Sequence, residues 1–343
     1  MRRWNLRLGH TLSIAARTRH LARIVAMNTV SAPLYTPPAK WTGRDDGPGP
    51  EHARWHSVMR YCADVSQVPS GGVALIGFAS DEGVLRNGGR QGAAAGPDAL
   101  RAALGGLAVH EERLLVDAGT ITTQGADLEG AQRVFSDRVR DLAAAGNMVV
   151  VLGGGHETSF ASHRGAYEAL GPMQVINFDA HFDLRQAKQP TSGTPFLQIA
   201  ELVGDAFDYS VIGISRPNNT KVLFDTAEAL GVRTVLDTEL AGYSPREAAD
   251  VAREITAPNN AQQLPIHLSI DLDVLPAAIA PGVSAPAGYG VALEVVQAMV
   301  SAVAATGRVA LVDVVELNPD YDIDSRTAKA AARLIEEIVA AAS

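Results

Sequence analysis

Short apolar runs alternate with longer amphipathic stretches along the chain from Gly72 onward. The runs are rich in β-branched residues and are bounded by Gly, Pro or Asp, which is typical of buried strands. This pattern predicts strands at 73–78, 114–117, 148–152, 174–178, 209–214, 234–236, 266–270 and 310–315. The intervening stretches predict helices at 97–104, 128–145, 158–170, 217–230, 245–255, 293–305 and 325–341.

Regular alternation of strands and helices implies right-handed crossovers and a parallel sheet with helices on both faces. We therefore predict an α/β protein with a three-layer αβα architecture and a parallel sheet of about eight strands. Residues 72–343 show no internal repeat and no break in composition, so we expect one domain there. Ligands of such sheets bind beyond the carboxyl ends of the strands.

Acidic and histidine side chains follow three of these strands at that edge. The stretch QVINFDAHFDLR ends an apolar run with three such residues at alternate positions, and SIDLD ends another with two. In an extended segment, side chains two apart point to the same side. A histidine also follows the run MVVVLGGG. The candidate metal ligands are His156, Asp179, His181, Asp183, Asp271 and Asp273.

Four carboxylates facing one another in a partly dry cleft would repel strongly unless cations compensate their charge. Two divalent ions balance four negative charges. A ligand set of imidazole and carboxylate without thiolate, larger than one tetrahedral ion needs, favours two Mn²⁺ ions over structural zinc. Such a pair can supply an activated water at neutral pH and polarise an electrophile.

The loop GGGHET at 153–158 also has a second interpretation. It follows a strand and opens a helix, as the phosphate loop of a dinucleotide-binding fold does. However, the third glycine of that motif would fall at Thr158, and His156 would stand where a pyrophosphate must approach. A nucleotide-binding module, or a metal-binding protein without turnover, remains the non-enzyme alternative. Bound Mn²⁺ or bound NAD would discriminate between them.

Three further side chains are candidates for contact with a substrate. Glu316 follows the last predicted strand and could hold a cationic amidine or guanidine group through charge-assisted hydrogen bonds. Arg86 and Arg90, in the loop RNGGR after the first strand, could bind a carboxylate. The alternative for both arginines is that they brace the loop or a subunit contact.

Composition excludes several classes of protein. The net charge of −9 argues against a nucleic-acid or anionic-membrane surface, and no apolar run is long enough for a membrane span. Cys62 is the one cysteine, so a disulfide framework is impossible and a reducing compartment, the cytoplasm, is expected.

The first 71 residues differ from the rest. Residues 1–26 contain six arginines and no acid, a composition that fits an organellar transit peptide or a leader upstream of a true start at Met27. Residues 31–52 are rich in Pro, Gly and Asp and predict an irregular arm. We therefore expect a leader and irregular arm at 1–71 and a catalytic domain at 72–343.

Four motifs resemble those of the ureohydrolase superfamily of arginases, agmatinases and formimidoylglutamases: GGGH, DAHFD, SIDLDVLPAAIAP and VELNP. The resemblance covers about residues 72–340. It implies that one manganese is held by His156, Asp179, Asp183 and Asp271, and the other by Asp179, His181, Asp271 and Asp273. It also implies a trimeric or hexameric homo-oligomer.

Details of the motifs are most similar to the formimidoylglutamase branch, which releases formamide from N-formimidoyl-L-glutamate in histidine degradation. Gly155 stands where arginases usually have an acid, and Phe196 stands about where they place a proton-shuttling histidine. The resemblance implies Glu316 and Asp183 as catalytic residues and Thr194 as a substrate contact. No general acid is evident, so one of these two acids or water must manage the proton. Agmatinase and guanidinobutyrase remain the alternatives within the superfamily.

Overall fold

The predicted strands assemble into one sheet in the computed structural model, which describes residues 34–257 and 263–342. All eight are present, with bounds within a few residues of those predicted except that β4 extends to Thr122, and two strands of two residues each are added. In chain order the strands are β1 (Tyr35–Thr36), β2 (Arg60–Tyr61), β3 (Val73–Ala79), β4 (Leu115–Thr122), β5 (Met148–Leu152), β6 (Gln174–Phe178), β7 (Asp208–Ile214), β8 (Arg233–Leu236), β9 (Ile266–Asp271) and β10 (Val309–Val315).

The strand order is β1-β4-β3-β5-β10-β9-β6-β7-β8, and β2 also pairs with β4. Every pairing among β2 to β10 is parallel, whereas β1 pairs with β4 antiparallel. The order places β5, β10, β9 and β6 side by side in the middle of the sheet. The candidate metal ligands and Glu316 occur at or after the ends of these four parallel strands, so their carboxyl ends meet at one edge.

Helices cover both faces of the sheet. Neighbouring residues of a strand pack into different clusters: Leu75 belongs to one with residues of α3, α9 and α10, whereas Ile76 belongs to another with residues of α4 and α5. The three-layer αβα prediction is therefore confirmed. The described helices are α1 (Trp55–Val58), α2 (Glu82–Arg86), α3 (Gly96–Gly105), α4 (Leu128–Ala144), α5 (Thr158–Leu170), α6 (Pro195–Val203), α7 (Lys221–Ala229), α8 (Pro245–Thr256), α9 (Leu293–Ala304) and α10 (Arg326–Ala341).

One predicted helix has different bounds. Instead of a continuous helix at 217–230, a 3₁₀ turn occupies Arg216–Asn218 and α7 begins at Lys221. Asn219 between them is extended, because its side chain donates to the carbonyls of Ala180 and Ser215 and accepts from the N–H of Phe182. The break in the helix therefore serves the loop that carries the candidate metal ligands.

The segment before residue 72 also packs onto the sheet. Trp41 and Trp55 are buried in the same cluster as the core residues of β3, and the indole N–H of Trp41 donates to Asp117 at 2.8 Å. The predicted boundary at residue 72 stays a prediction, and residues 1–33, including the leader and Met27, lie outside the described residues. Among the described helices, none combines the length and apolar character needed to cross a bilayer.

Candidate metal centre and active site

The turn after β5 places His156 at the centre of the sheet edge. A β-carbon at Gly154 would lie 1.9 Å from the carbonyl oxygen of Ser80, so this turn can follow its path only with glycine there. The N–H of Gly155 donates to the same carbonyl at 2.9 Å. The close approach of the Ser80 and Gly154–Gly155 backbones therefore fixes the position of the His156 backbone.

The triplet Asp179, His181 and Asp183 converges for a different reason from the one predicted. The strand ends at Phe178, so these residues do not alternate along an extended strand. Instead, the carboxylate of Asp179 accepts from the N–H of His181 at 2.6 Å, and Asp183 has a left-handed backbone with φ of 51°. A loop with internal hydrogen bonds therefore aims the three side chains.

The structure brings the six predicted ligands into two adjoining groups. In the first group, His156 Nδ1 lies 2.9 Å from Asp183 Oδ2 and 3.1 Å from one oxygen of each of Asp179 and Asp271. In the second, His181 Nδ1 lies 3.0 Å from Asp273 Oδ2 and 3.6 Å from Asp179 Oδ1. Within each group the candidate ligand atoms lie within 4.8 Å of one another, and Asp271 falls in the first group only. Its predicted contact with the second metal stays a prediction.

The chemistry of His156 fits a metal ligand. Its Nε2 lies 3.1 Å from Ser269 Oγ, whereas its buried Nδ1 has no hydrogen-bond partner among the described residues although three carboxylate oxygens surround it. If Nε2 carries the proton and donates to Ser269, the Nδ1 lone pair faces those oxygens. Such an arrangement is repulsive without a cation and favourable with one. The donor set therefore fits a divalent ion.

The electrostatics of the cluster lead to the same conclusion. Burial, and then the charge of Asp179, raises the pKa of Asp183 to about 6. Burial lowers the pKa of His181, but the charges of Asp273 and Asp179 outweigh it and raise that pKa to about 12. Without a bound cation, the raised pKa values of Asp183 and His181 favour their protonated forms. The cluster therefore needs positive charge, which a metal ion would supply.

Several neighbours of the ligands were not predicted. Asn177 donates to Asp179 Oδ2 at 3.0 Å, Ser269 faces His156, and Asn219 holds the 180–182 backbone. Ligand-orienting contacts of this kind tune metal sites. Their signal in the sequence was a polar residue inside an apolar strand, at Asn177 in β6 and Ser269 in β9.

Glu316 lies where the sequence predicted, beside the cluster. Its backbone φ is 68°, its Oε1 accepts from the N–H of His156 at 2.7 Å, and its Oε2 contacts Ser284 Oγ. Burial, and then the charge of Glu157, raises the pKa of Glu316 to about 8. A cationic substrate group beside this carboxylate would favour its ionised form. The N–H of His156 is thus occupied by a carboxylate, which disfavours a pyrophosphate at this turn.

Arg86 is engaged in contacts within the protein. Its five N–H groups donate to the carboxylates of Glu82 and Glu129 and to the carbonyls of Ala126 and Pro190. Arg90 donates to the carbonyls of residues 283 and 284, and its guanidinium lies 4.0 Å from the centre of the Tyr321 ring. Arg86 therefore braces the segment around it, whereas some N–H groups of Arg90 have no acceptor among the described residues.

A cavity of about 400 Å³ adjoins the ligand loop and is lined in part by Arg185, Lys188, Thr194 and Gln198. Arg185 follows the ligand Asp183 by two residues, is exposed, and has no side-chain partner in the described part of the chain. The Thr194 hydroxyl lies 2.8 Å from Gln198 Oε1 and 3.0 Å from the carbonyl of Thr191. This cavity therefore offers an unpaired guanidinium two residues along the chain from the candidate ligand Asp183.

Phe196 is wholly buried and packs edge-on against the His156 ring, with ring centres 5.2 Å apart. The Phe196 ring also stacks on the Tyr209 ring, with ring centres 4.6 Å apart. In this chain, Phe196 therefore supports the His156 ring by packing and offers no group for proton transfer.

Comparison with known proteins agrees with this geometry. A family model described as Arginase family matches residues 71–341. The chain belongs to the arginase family. Its relatives in that family include two curated bacterial proteins named formimidoylglutamase. The protein from Corynebacterium efficiens is 51% identical over 89% of this chain and 95% of its own length. The protein from Nocardia farcinica is 49% identical over 88% of this chain and 96% of its own length.

One structurally similar protein was solved with Mn²⁺. The formiminoglutamase of Trypanosoma cruzi with Mn²⁺ has a TM-score of 0.71 and 28% sequence identity, and the match covers 79% of this chain and 93% of that one. The family and the parallel-sheet fold expected from the motifs are therefore confirmed, and the chain is a hydrolase of the arginase family.

Proposed function

We propose that this arginase-family enzyme hydrolyses N-formimidoyl-L-glutamate to L-glutamate and formamide, as a step of histidine degradation. The observation that carries the proposal is the buried cluster of two histidines and four aspartates, found in a chain about half identical to proteins named formimidoylglutamase. The substrate contains an amidine carbon, which is an electrophile suited to attack by an activated water.

The metal we propose is manganese, with about two ions per chain. His156, Asp179, Asp183 and Asp271 would hold one ion, and the group Asp179, His181 and Asp273 would hold the other, with Asp271 as its predicted fourth ligand. When bound, the ions would supply an activated water and positive charge opposite the four carboxylates. Their identity as manganese is supported by the oxygen-rich, thiolate-free donor set and by the metal in the Trypanosoma cruzi structure.

The side chains of this protein then have separate tasks. Glu316 would hold the amidinium nitrogen atoms by charge-assisted hydrogen bonds, because its carboxylate is fixed by the His156 N–H and the Ser284 hydroxyl. Asp183 would carry the proton that the departing amine needs. It is the most exposed carboxylate of the cluster, 11% accessible against 4% or less for the others, so it can exchange protons with solvent.

The substrate has two carboxylates, and the cavity beside Asp183 is where we place the glutamate portion. Arg185 is the anchor we propose to test first, because its guanidinium is unpaired among the described residues while Arg86 has no free N–H. Thr194 lines the same cavity. Arg90 stays a candidate through its spare N–H groups, and Arg86 stays a prediction of the sequence alone.

The oligomer and compartment belong to the same proposal. By likeness to the family we propose a homotrimer or homohexamer in the cytoplasm, acting on a small molecule and on neither nucleic acid nor membrane. The net charge of −9 supports the exclusion of nucleic acid and of anionic membrane surfaces. Size-exclusion chromatography with light scattering would measure the assembly.

The test of the reaction is a product assay on Mn²⁺-loaded protein with four substrates in parallel: N-formimidoylglutamate, arginine, agmatine and guanidinobutyrate. We expect formamide from the first and no urea from the other three. Urea from agmatine or guanidinobutyrate would overturn the proposal in favour of those activities. No product from any of them, with metal bound, would favour a binding protein without turnover.

A further inference from the structure

Glu157 is a buried acid that has no role in the proposed reaction. It follows His156, is wholly inaccessible to solvent, and stands immediately before α5. Its Oε1 accepts from Ser80 Oγ at 2.8 Å and from the N–H of Gly83 at 3.0 Å. Both donors lie in the segment that follows β3. One carboxylate oxygen thus joins residues 80–92, the loop and short helix that follow β3, to the turn that carries a candidate metal ligand.

Two glycines leave room for this carboxylate. A β-carbon at Gly155 would lie 2.2 Å from Glu157 Oε2, and a β-carbon at Gly83 would lie 2.4 Å from Glu157 Cδ. Neither distance is possible for real atoms, so a side chain at either position would expel the carboxylate. Glycine at 155 therefore leaves the space that the Glu157 carboxylate occupies.

The segment held by Glu157 contacts residues 190–194, which contribute Pro190 and Thr194 to the lining of the proposed substrate cavity. Its other end is held by two further contacts: Asp81 accepts from the N–H of Gly92 at 2.8 Å, and the Asn318 amide donates to the carbonyl of Gln91 at 2.9 Å. Between the two ends, Asn87 lies 3.2 Å from Ser192 Oγ, next to the segment that contributes Thr194. A displacement of the Glu157 end would therefore disturb the contacts that support residues 190–194 of the cavity lining.

We propose that Glu157 is a positioning residue, which holds residues 80–92 against the His156 turn and so supports residues 190–194 at the proposed substrate site. A buried carboxylate that accepts only neutral donors costs stability relative to a well-packed apolar group. Oε2 of Glu157 has no hydrogen-bond partner among the described residues, which adds to this cost. An acid at this position is explained by the hydrogen bonds that its Oε1 accepts from Ser80 and Gly83. The effect on catalysis rests on the proposed function, whereas the loop attachment does not.

The test compares Glu157→Ala with Glu157→Gln in the Mn²⁺-loaded, full-length protein. The alanine variant loses the acceptor for Ser80 and Gly83, whereas the glutamine variant keeps an Oε1 acceptor. We expect the alanine variant to exchange amide hydrogens in residues 80–92 about tenfold faster, the order that loss of one hydrogen bond to a charged group implies. Its KM for N-formimidoylglutamate should rise by about the same factor with kcat less affected, and the glutamine variant should recover most of both.

The matched control is Gln132→Ala. Gln132 is equally buried and donates to the backbone carbonyl of Glu157 at 2.9 Å, but it does not touch the loop. It should leave exchange in residues 80–92 and KM unchanged, and all three variants should bind the same amount of manganese as the wild type.

Three results would overturn the inference: unchanged loop exchange in Glu157→Ala, an equal increase in Gln132→Ala, or loss of manganese together with the loop effect. The last would assign Glu157 to the metal site. If the wild type did not hydrolyse N-formimidoylglutamate, the proposed function would fail, but the exchange measurement would still decide whether Glu157 holds the loop.

Discussion

At the scale of single residues, two acids of the site have backbone conformations that non-glycine residues seldom adopt. Asp183 and Glu316 have φ of 51° and 68°, in the left-handed region. Such conformations persist where surrounding contacts enforce them, and they cluster at functional sites. Here Glu316 is held by the N–H of His156 and by Ser284, and Asp183 by its place in the ligand loop. The conformation directs each carboxylate toward the centre of the site.

The role of Glu316 gives the first prediction at this scale. Glu316→Gln keeps the size and the acceptor for the His156 N–H, but it removes the charge that would hold an amidinium group. We expect turnover of N-formimidoylglutamate to fall by about a hundredfold or more, because a charge-assisted contact to the reacting group is lost. Manganese content, measured by atomic emission, should stay at the wild-type value. Wild-type turnover in this variant would refute the assignment.

Arg185 gives the second prediction. A bidentate contact between Arg and carboxylate contributes roughly 1.5 to 3 kcal/mol, so Arg185→Ala should lower kcat/KM about ten- to a hundredfold with manganese retained. Arg185→Lys should recover only part, because an ammonium cannot form the paired contact.

Arg86→Ala is the comparison for that measurement. It removes contacts to Glu82 and Glu129, so we expect it mainly to lower the melting temperature. If Arg86→Ala reduced kcat/KM at unchanged stability while Arg185→Ala did not, the anchor would be Arg86, as the sequence predicted.

At the scale of elements, one buried ion pair joins β4, α3 and the segment before β2. Asp117 in β4 accepts from Arg101 Nε and Nη2 at 2.9 and 3.0 Å and from the Trp41 indole. Asp117 is inaccessible to solvent, and Arg101 is 12% accessible. Removal of one partner from a buried pair leaves the other charge uncompensated, which is the costly change.

We therefore predict that Asp117→Ala lowers the free energy of unfolding by about 3 to 5 kcal/mol. The chain supplies its own control, because Arg101 also pairs with Asp98, whose side chain is 92% accessible. Asp98→Ala should cost less than about 1 kcal/mol, since exposed ion pairs contribute little. Urea unfolding followed by circular dichroism measures both. Equal effects of the two variants would show that burial does not decide the energy of this pair.

At the scale of the whole molecule, the candidate metal cluster links three of the four central strands. His156 follows β5, Asp179 follows β6 and Asp271 ends β9, so ions bound there would join the carboxyl ends of these three strands. A ligand that binds only the folded protein stabilises it, by about 2.7 kcal/mol per site at a hundred times its Kd.

Metal removal should therefore lower the melting temperature of the whole domain by several degrees, and added Mn²⁺ should restore it. Asp183→Ala, which removes a ligand, should melt at a temperature that no longer depends on Mn²⁺, and it should lose activity. Differential scanning calorimetry measures the shift. Full activity in exhaustively chelated wild-type protein would refute the metal requirement.

The sequence by itself determined the architecture and which histidine and aspartate side chains cluster at the sheet edge. The bounds of β5, β6 and α5 match the prediction residue for residue, because apolar periodicity and flanking glycines are local signals. The sequence pattern does not predict the short elements α1, α2, β1 and β2, because so few residues carry no periodicity, and α6 is likewise absent from the predicted helices.

Only the tertiary structure decided which groups are free and which are engaged. Nothing in the pattern near Arg86 shows that Glu129 and the carbonyls of Ala126 and Pro190 consume its donors, because these partners are distant in sequence. The left-handed backbone of Asp183 and the fit of Glu157 against Gly83 and Gly155 likewise arise from long-range packing. The spacing of apolar residues indicates which side chains are buried and whether they belong to a helix or a strand. The strand order β5-β10-β9-β6 determines which of these side chains meet, and it depends on pairing between segments far apart in sequence, such as β5 with β10 and β6 with β9.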